Sequence, residues 1–131
     1  MLRHLTSILM LSLIPTFVLA DEAWETRLGP VTYHTELDGM AVFRMRLDDV
    51  WGLIYLPGLA GNYTDRSTHK GFWVSDEIGP CAAKLQSPEG LTTSSWGRVE
   101  ITFDAPAFPT AWTMMLGACF NDPDIKLRGE L

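Results

Sequence analysis

The sequence predicts an all-β protein, a small antiparallel barrel or sandwich of about seven to eight strands with one disulfide. Apolar residues occur in short alternating runs, and Gly, Pro, Asp and Asn separate these runs roughly every dozen residues. No stretch carries the apolar stripe of an amphipathic helix. Because successive side chains of a strand point to opposite faces, each run can bury one face against a shared core.

The first twenty residues have the pattern of an export signal. A short basic start precedes an almost entirely apolar or small segment, residues 5–19, and small residues then lead into an acidic pair. This order predicts a signal peptide over residues 1–20 and a single all-β domain over residues 21–131. A membrane anchor is the alternative, but Pro15 interrupts the apolar run, which is shorter than the roughly 20 residues of a span. We expect no membrane span after signal removal, and a periplasmic or secreted location.

Residues 31–47 predict a hairpin whose register follows from burial. A two-residue turn at Asp38-Gly39 would leave both faces of the hairpin a mixture of apolar and charged side chains. A three-residue loop with Gly39 in the left-handed conformation instead sets Tyr33 opposite Phe43 and gives one apolar face. Since one face must be buried, we expect the second register.

The remaining strands are predicted from their apolar patterns. Residues 50–56 are apolar on both faces, which predicts a central strand or one covered on both sides. Residues 96–103 and 112–120 alternate cleanly. Trp96 falls on the polar side of its strand, where an exposed Trp could contact a partner, and a Trp that covers a sheet edge is the alternative. Shorter strands are predicted at residues 24–28, 71–74, 81–86 and 125–127.

The two cysteines, Cys81 and Cys119, both lie in the part predicted to be exported. An oxidising compartment favours a disulfide between them, with two buried free thiols as the alternative. Cys119 is on the opposite parity from the apolar residues of its strand. Either the bond lies where the pleat ends, or that strand is inverted. Neither His34 nor His69 has the spacing to the cysteines of a zinc site, and the sequence predicts no metal and no cofactor.

The charge balance excludes two classes of partner. The chain has 10 basic and 16 acidic residues and a net charge of −6. Nucleic acids and anionic membrane surfaces are bound by clustered cations, and no basic run longer than two residues occurs. We therefore expect no nucleic acid among the partners.

The loop over residues 57–71 is the strongest candidate for a binding site. Loops rich in polar side chains carry binding function on rigid sheets, and two close cations could hold an anionic group. A solvated loop without function is the alternative. The candidate residues are Asn62, Tyr63, Arg66, His69 and Lys70.

Two short segments resemble up-and-down barrels of the avidin and lipocalin kind. They are Leu-Ala-Gly-Asn-Tyr at residues 59–63 and Gly-Phe-Trp at residues 71–73. The resemblance covers only these residues. It implies a barrel, and no ligand is carried over from it.

The sequence favours a non-catalytic binding or interaction module over an enzyme. Its recognition surface would be the loop together with an exposed Trp96, and its partner a protein, such as an exported enzyme that it inhibits, or a small ligand in the mouth of the barrel. The alternative is a small extracytoplasmic hydrolase with His69 as its base, which a carboxylate within hydrogen-bond distance of that ring would favour. A ligand in the barrel requires a cavity between the sheet walls.

Overall fold

The computed structural model describes residues 22–47 and 49–131, so the predicted signal peptide lies outside the described residues. The described part is built from strands, which confirms the all-β prediction. It contains no helix long and apolar enough to cross a membrane. The strands are β1 (Ala23–Thr26), β2 (Gly29–Leu37), β3 (Met40–Leu47), β4 (Val50–Pro57), β5 (His69–Ser75), β6 (Leu85–Gln86), β7 (Thr92–Thr93), β8 (Trp96–Phe103), β9 (Trp112–Leu116) and β10 (Ile125–Gly129).

Eight of the strands form one antiparallel sheet that curls into a nearly closed barrel. The strand order is β1-β2-β3-β4-β5-β8-β9-β10, and β6 and β7 form a separate two-stranded ribbon. The first and last strands meet through two backbone hydrogen bonds between Glu25 and Glu130, with N–O distances of 2.8 and 3.0 Å. Of the two predicted architectures, the structure has the barrel.

Apolar side chains fill the barrel interior. The Trp24 ring lies 5.6 Å from Phe43 and 6.0 Å from Trp112, between ring centroids. Its indole N–H donates to the carbonyl oxygen of Thr110 at 2.8 Å, which satisfies the polar atom of a fully buried side chain. The buried set is Trp24, Val31, Ala41, Phe43, Met45, Ile54, Leu56, Leu59, Val99, Ile101, Phe103, Trp112, Met114, Leu116 and Leu127.

The β2–β3 hairpin combines the two registers that the sequence offered as alternatives. Tyr33 lies opposite Phe43, as predicted. The prediction of a three-residue loop is wrong. Asp38 and Gly39 instead form a two-residue turn in which both residues have positive φ, 48° and 79°. A bulge between Tyr33 and Thr35 restores the register. The extra residue is therefore accommodated within the strand and not in the turn.

A second apolar cluster lies on the outside of the barrel. The cover segment, residues 76–95, contains β6 and β7 and packs over the outward faces of β3, β4, β5 and β8. Beneath it Trp96 is only 1% exposed, and its indole N–H donates to the carbonyl oxygen of Ala83 at 2.9 Å. The expectation that Trp96 is exposed was wrong. Trp96 does face away from the barrel interior, but the cover segment shields that side from water.

The predicted disulfide between Cys81 and Cys119 is confirmed. The strand expected over residues 112–120 ends at Leu116, so Cys119 lies beyond the pleat with a positive φ of 56°. The bond therefore lies where the strand has ended, and the strand is not inverted. The strand expected over residues 81–86 is also shorter, because only Leu85–Gln86 pairs with a neighbouring strand.

Candidate functional site: a groove on the outer face of the barrel

The loop over residues 57–71 closes one end of the barrel. The Tyr63 ring stacks on Phe108 with centroids 4.4 Å apart. Its hydroxyl lies 3.1 Å from that of Tyr33 and donates to Glu36 Oε1 at 3.0 Å. Burial, together with these hydrogen bonds, raises the pKa of Tyr63 well above its usual range. The side chain is therefore engaged in packing this end of the barrel.

Other polar groups of the loop bond within the loop. The Asn62 side chain donates to the carbonyl oxygen of Gly58 at 2.8 Å. The His69 ring nitrogen Nε2 lies 3.2 Å from the backbone carbonyl oxygen of Asp65, so its hydrogen-bond partner is not a carboxylate. A hydrogen bond between His69 and a carboxylate, which would favour the hydrolase, is not found among the described residues. Arg66, in the same loop, is exposed.

The remaining two predicted site residues lie elsewhere on the barrel. Lys70 is on the outward face of β5 and forms a 3.9 Å ion pair with Glu100. Trp96 lies beneath the cover segment. The structure therefore keeps Asn62, Tyr63 and His69 in the loop at the barrel end and does not join them to Trp96 in one site.

The outer groove has a volume of about 360 Å³. Its floor is the outward face of β4 and β5, and Leu91 of the cover segment lies along one side. Such a volume is typical of sites for small ligands or for a few side chains of a partner. The lining residues are Arg44, Trp51, Gly52, Leu53, Val74, Ser75, Asp76 and Leu91.

Strand register brings the groove residues together from distant parts of the sequence. Leu53 of β4 pairs with Arg44 of β3 on one side and with Val74 of β5 on the other. Trp51, two residues earlier on β4, therefore points to the same face and pairs with Arg46. The result is an apolar strip flanked by arginines on the β3 side.

Trp51 is 57% exposed, whereas Trp24, Trp96 and Trp112 are buried. The Arg46 guanidinium carbon lies 5.4 Å from the centroid of the Trp51 ring, within the range of a cation–π contact. This contact holds the indole against the strand while leaving much of its surface open to a ligand.

The cover segment forms a fixed wall beside the groove. The Tyr55 hydroxyl donates to Glu89 Oε1 at 2.7 Å, and Thr93 Oγ1 donates to the carbonyl oxygen of Ser75 at 2.7 Å. The Ser75 and Ser95 hydroxyls lie 2.6 Å apart in the same buried contact. Burial, and then the hydrogen bond to Glu89, raise the pKa of Tyr55 to about 12, so this tether persists at physiological pH.

A second, smaller groove of about 230 Å³ differs from the outer groove in its charges. Both of its cations are paired, Lys70 with Glu100 at 3.9 Å and Arg98 with Asp122 at 3.2 Å. By contrast, within the described residues no carboxylate lies in ion-pair range of the arginines beside the outer groove. Among the described residues, the arginines of the outer groove therefore differ from the cations of the smaller groove in carrying no ion pair.

Comparison with models of known protein families, with curated proteins and with solved structures gives no match. The outer groove was not predicted from the sequence, although one pattern indicated it. Residues 50–56 are apolar on both faces, and the pairing of β3 with β4 places Trp51 beside Arg46. An apolar outward face next to cations is the pattern that could have identified this surface.

Proposed function

We propose that the protein is an exported, non-catalytic binding module that recognises a partner protein through the outer groove. The observation that carries the proposal is the exposed Trp51 on an apolar strip of two central strands, in a barrel whose interior is filled. An exposed apolar groove of this kind, rimmed by charge, is typical of interaction sites.

The residue types in the groove support a protein interface. Trp and Arg are the side chains most often found to dominate binding energy, and they do so when they lie beside a well-packed apolar centre. Trp51 and Arg44 are of these types, and Leu53 supplies the apolar floor, with the almost fully buried Val74 packed beside it. Their positions on paired strands hold them in place before binding, which reduces the entropy lost on association.

The disulfide supports the exported location, because such bonds form and persist outside the reducing cytoplasm. The barrel interior offers little support for a small ligand, since fifteen buried side chains pack there. The proposal therefore moves recognition from the barrel mouth and the 57–71 loop to the outer face.

Site-specific photo-crosslinking in the cells that produce the protein tests the proposal. A photoreactive amino acid replaces Leu91, at the wall of the groove, and in a matched control replaces Ile78, which is 99% exposed but does not line the groove. We expect one adduct of defined mass from position 91 alone. The substitution Trp51→Ala should abolish it, because it removes the exposed aromatic surface of the groove.

Equal adducts from both positions, or an adduct that persists in the Trp51→Ala variant, would contradict the proposal. Thermal unfolding of each variant serves as the control for folding. Trp51 is more than half exposed, so its truncation should change the midpoint by only a few degrees.

A further inference from the structure

Resting on this proposed function, we infer that the outer groove binds a peptide segment of its partner in which an apolar side chain lies next to a carboxylate. The apolar side chain would occupy the strip formed by Trp51, Leu53 and Val74, and the carboxylate would meet the guanidinium groups of Arg44 and Arg46.

The charge of the groove differs from that of the whole molecule. The chain carries a net charge of −6, yet Arg44 and Arg46 lie two residues apart on the outward face of β3, both exposed. The described part of the chain offers neither of them a carboxylate within ion-pair distance. Guanidinium groups bind carboxylates through paired, charge-assisted hydrogen bonds. A carboxylate of the partner would form the ion pair that neither arginine forms with the described residues.

The other charged group in the groove favours a peptide over a fatty acid. Asp76 lines the groove and is exposed, and no cation of the described residues lies within ion-pair distance of its carboxylate. A peptide can donate a backbone N–H to this carboxylate, whereas a fatty acid has an apolar chain and a carboxylate but no donor. The groove thus presents an apolar floor, cations and an acceptor, which together match an acidic peptide.

Quenching of tryptophan fluorescence provides a first check of the local charge. Trp51 is the most exposed of the five tryptophans and lies beneath a guanidinium group. Relative to the quenching of free tryptophan by each ion, iodide should therefore quench Trp51 more effectively than caesium, and this excess should disappear in the Trp51→Phe variant. Equal relative quenching by the two ions would overturn the cationic rim on which the inference depends.

Selection from a random dodecapeptide library identifies the preferred sequence. The library is selected on the immobilised wild-type protein and counter-selected on Trp51→Ala. We expect enrichment of peptides with an apolar residue within two positions of Asp or Glu. Enrichment of apolar peptides without an acid would overturn the inference while leaving the groove as a binding site.

A double-mutant cycle then tests the contact itself. Replacing the acid of a selected peptide by its amide should weaken binding about 10-fold, and Arg44→Gln should do the same, because each removes one charge-assisted pair. In the Arg44→Gln variant the amide peptide should lose little more. Arg66→Gln is the matched control, since Arg66 is exposed on the 57–71 loop. A loss with Arg66→Gln alone would overturn the inference and return recognition to that loop.

Sodium laurate is tested as a competing occupant. If laurate protects Trp51 from quenching in an Arg44-dependent manner and no peptide is enriched, the peptide inference fails. The crosslinking experiment is independent of this outcome. An adduct at position 91 without peptide selectivity would refute the inference alone, and absence of both would refute the proposed function as well.

Discussion

Removal of the Cys81–Cys119 bond should destabilise the fold by about 4 kcal/mol. The bond closes a loop with a sequence separation of 38 residues, and the value follows from the conformational entropy that such a cross-link removes from the unfolded chain. For a domain of this size the loss corresponds to a decrease in midpoint temperature of roughly 15 °C or more. The folded contacts of the cover segment should survive, since the bonds from Tyr55, Thr93 and Trp96 do not involve sulfur.

Urea unfolding of the Cys81→Ala/Cys119→Ala variant measures this loss, and reduced wild-type protein is the control without substitutions. Circular dichroism follows the whole sheet, and acrylamide quenching follows the exposure of the buried tryptophans, which include Trp96 beneath the cover segment. We expect the two transitions to coincide. A loss below about 1 kcal/mol would refute the entropic reasoning. Increased quenching ahead of the main transition would show that a buried tryptophan becomes exposed locally, as expected if the bond holds the cover segment over Trp96.

Three further substitutions have expected effects on stability. Gly71→Ala should cost at least about 2 kcal/mol in thermal unfolding, because the added Cβ would overlap the backbone carbonyl oxygen of Tyr55; an unchanged midpoint would contradict this close approach. Tyr63→Phe should cost about 1 kcal/mol in urea unfolding through loss of its hydroxyl bonds, and a stabilised variant would exclude that role. The hydrogen bond from Arg128 lowers the pKa of Asp104 below its ordinary value of 3.8, so it contributes stability above pH 3.8 that is lost as pH falls through the lowered value. Asp104→Asn should therefore cost no more than about 1 kcal/mol at pH 7 and progressively less as pH falls below 3.8, and a cost that is independent of pH would refute the assignment.

The hairpin of β2 and β3 shows what the alternation of apolar and polar residues can predict and what it cannot. The apolar pattern required Tyr33 to face Phe43, and this pairing is confirmed. The pattern could not indicate where the chain absorbs the extra residue, since a longer turn and a bulge near His34 give the same pairing beyond it. Asp38 adopts a positive φ in the two-residue turn. Because the turn is this short, the extra residue is accommodated by the bulge in β2.

Trp96 shows why the candidate site was only partly predictable. Its parity in β8 was correct, since it lies on the side away from the barrel interior. Exposure did not follow from parity, because residues 76–95 return over that face through contacts between distant parts of the chain. The same long-range packing forms the wall of the outer groove, so local patterns could indicate the apolar strip around Trp51 but not the cavity beside it.

The connectivity of the barrel has a consequence for the order in which the chain folds. Nearly every strand pairs with its neighbour in sequence, and the sheet departs from this rule only where β8 skips the ribbon to join β5 and where β1 meets β10. Neighbouring strands close short loops at small entropic cost, whereas the contact between Glu25 and Glu130 joins opposite ends of the sheet. We therefore expect the meander to form progressively by hairpins, with the two-bond seam closing last and reopening first.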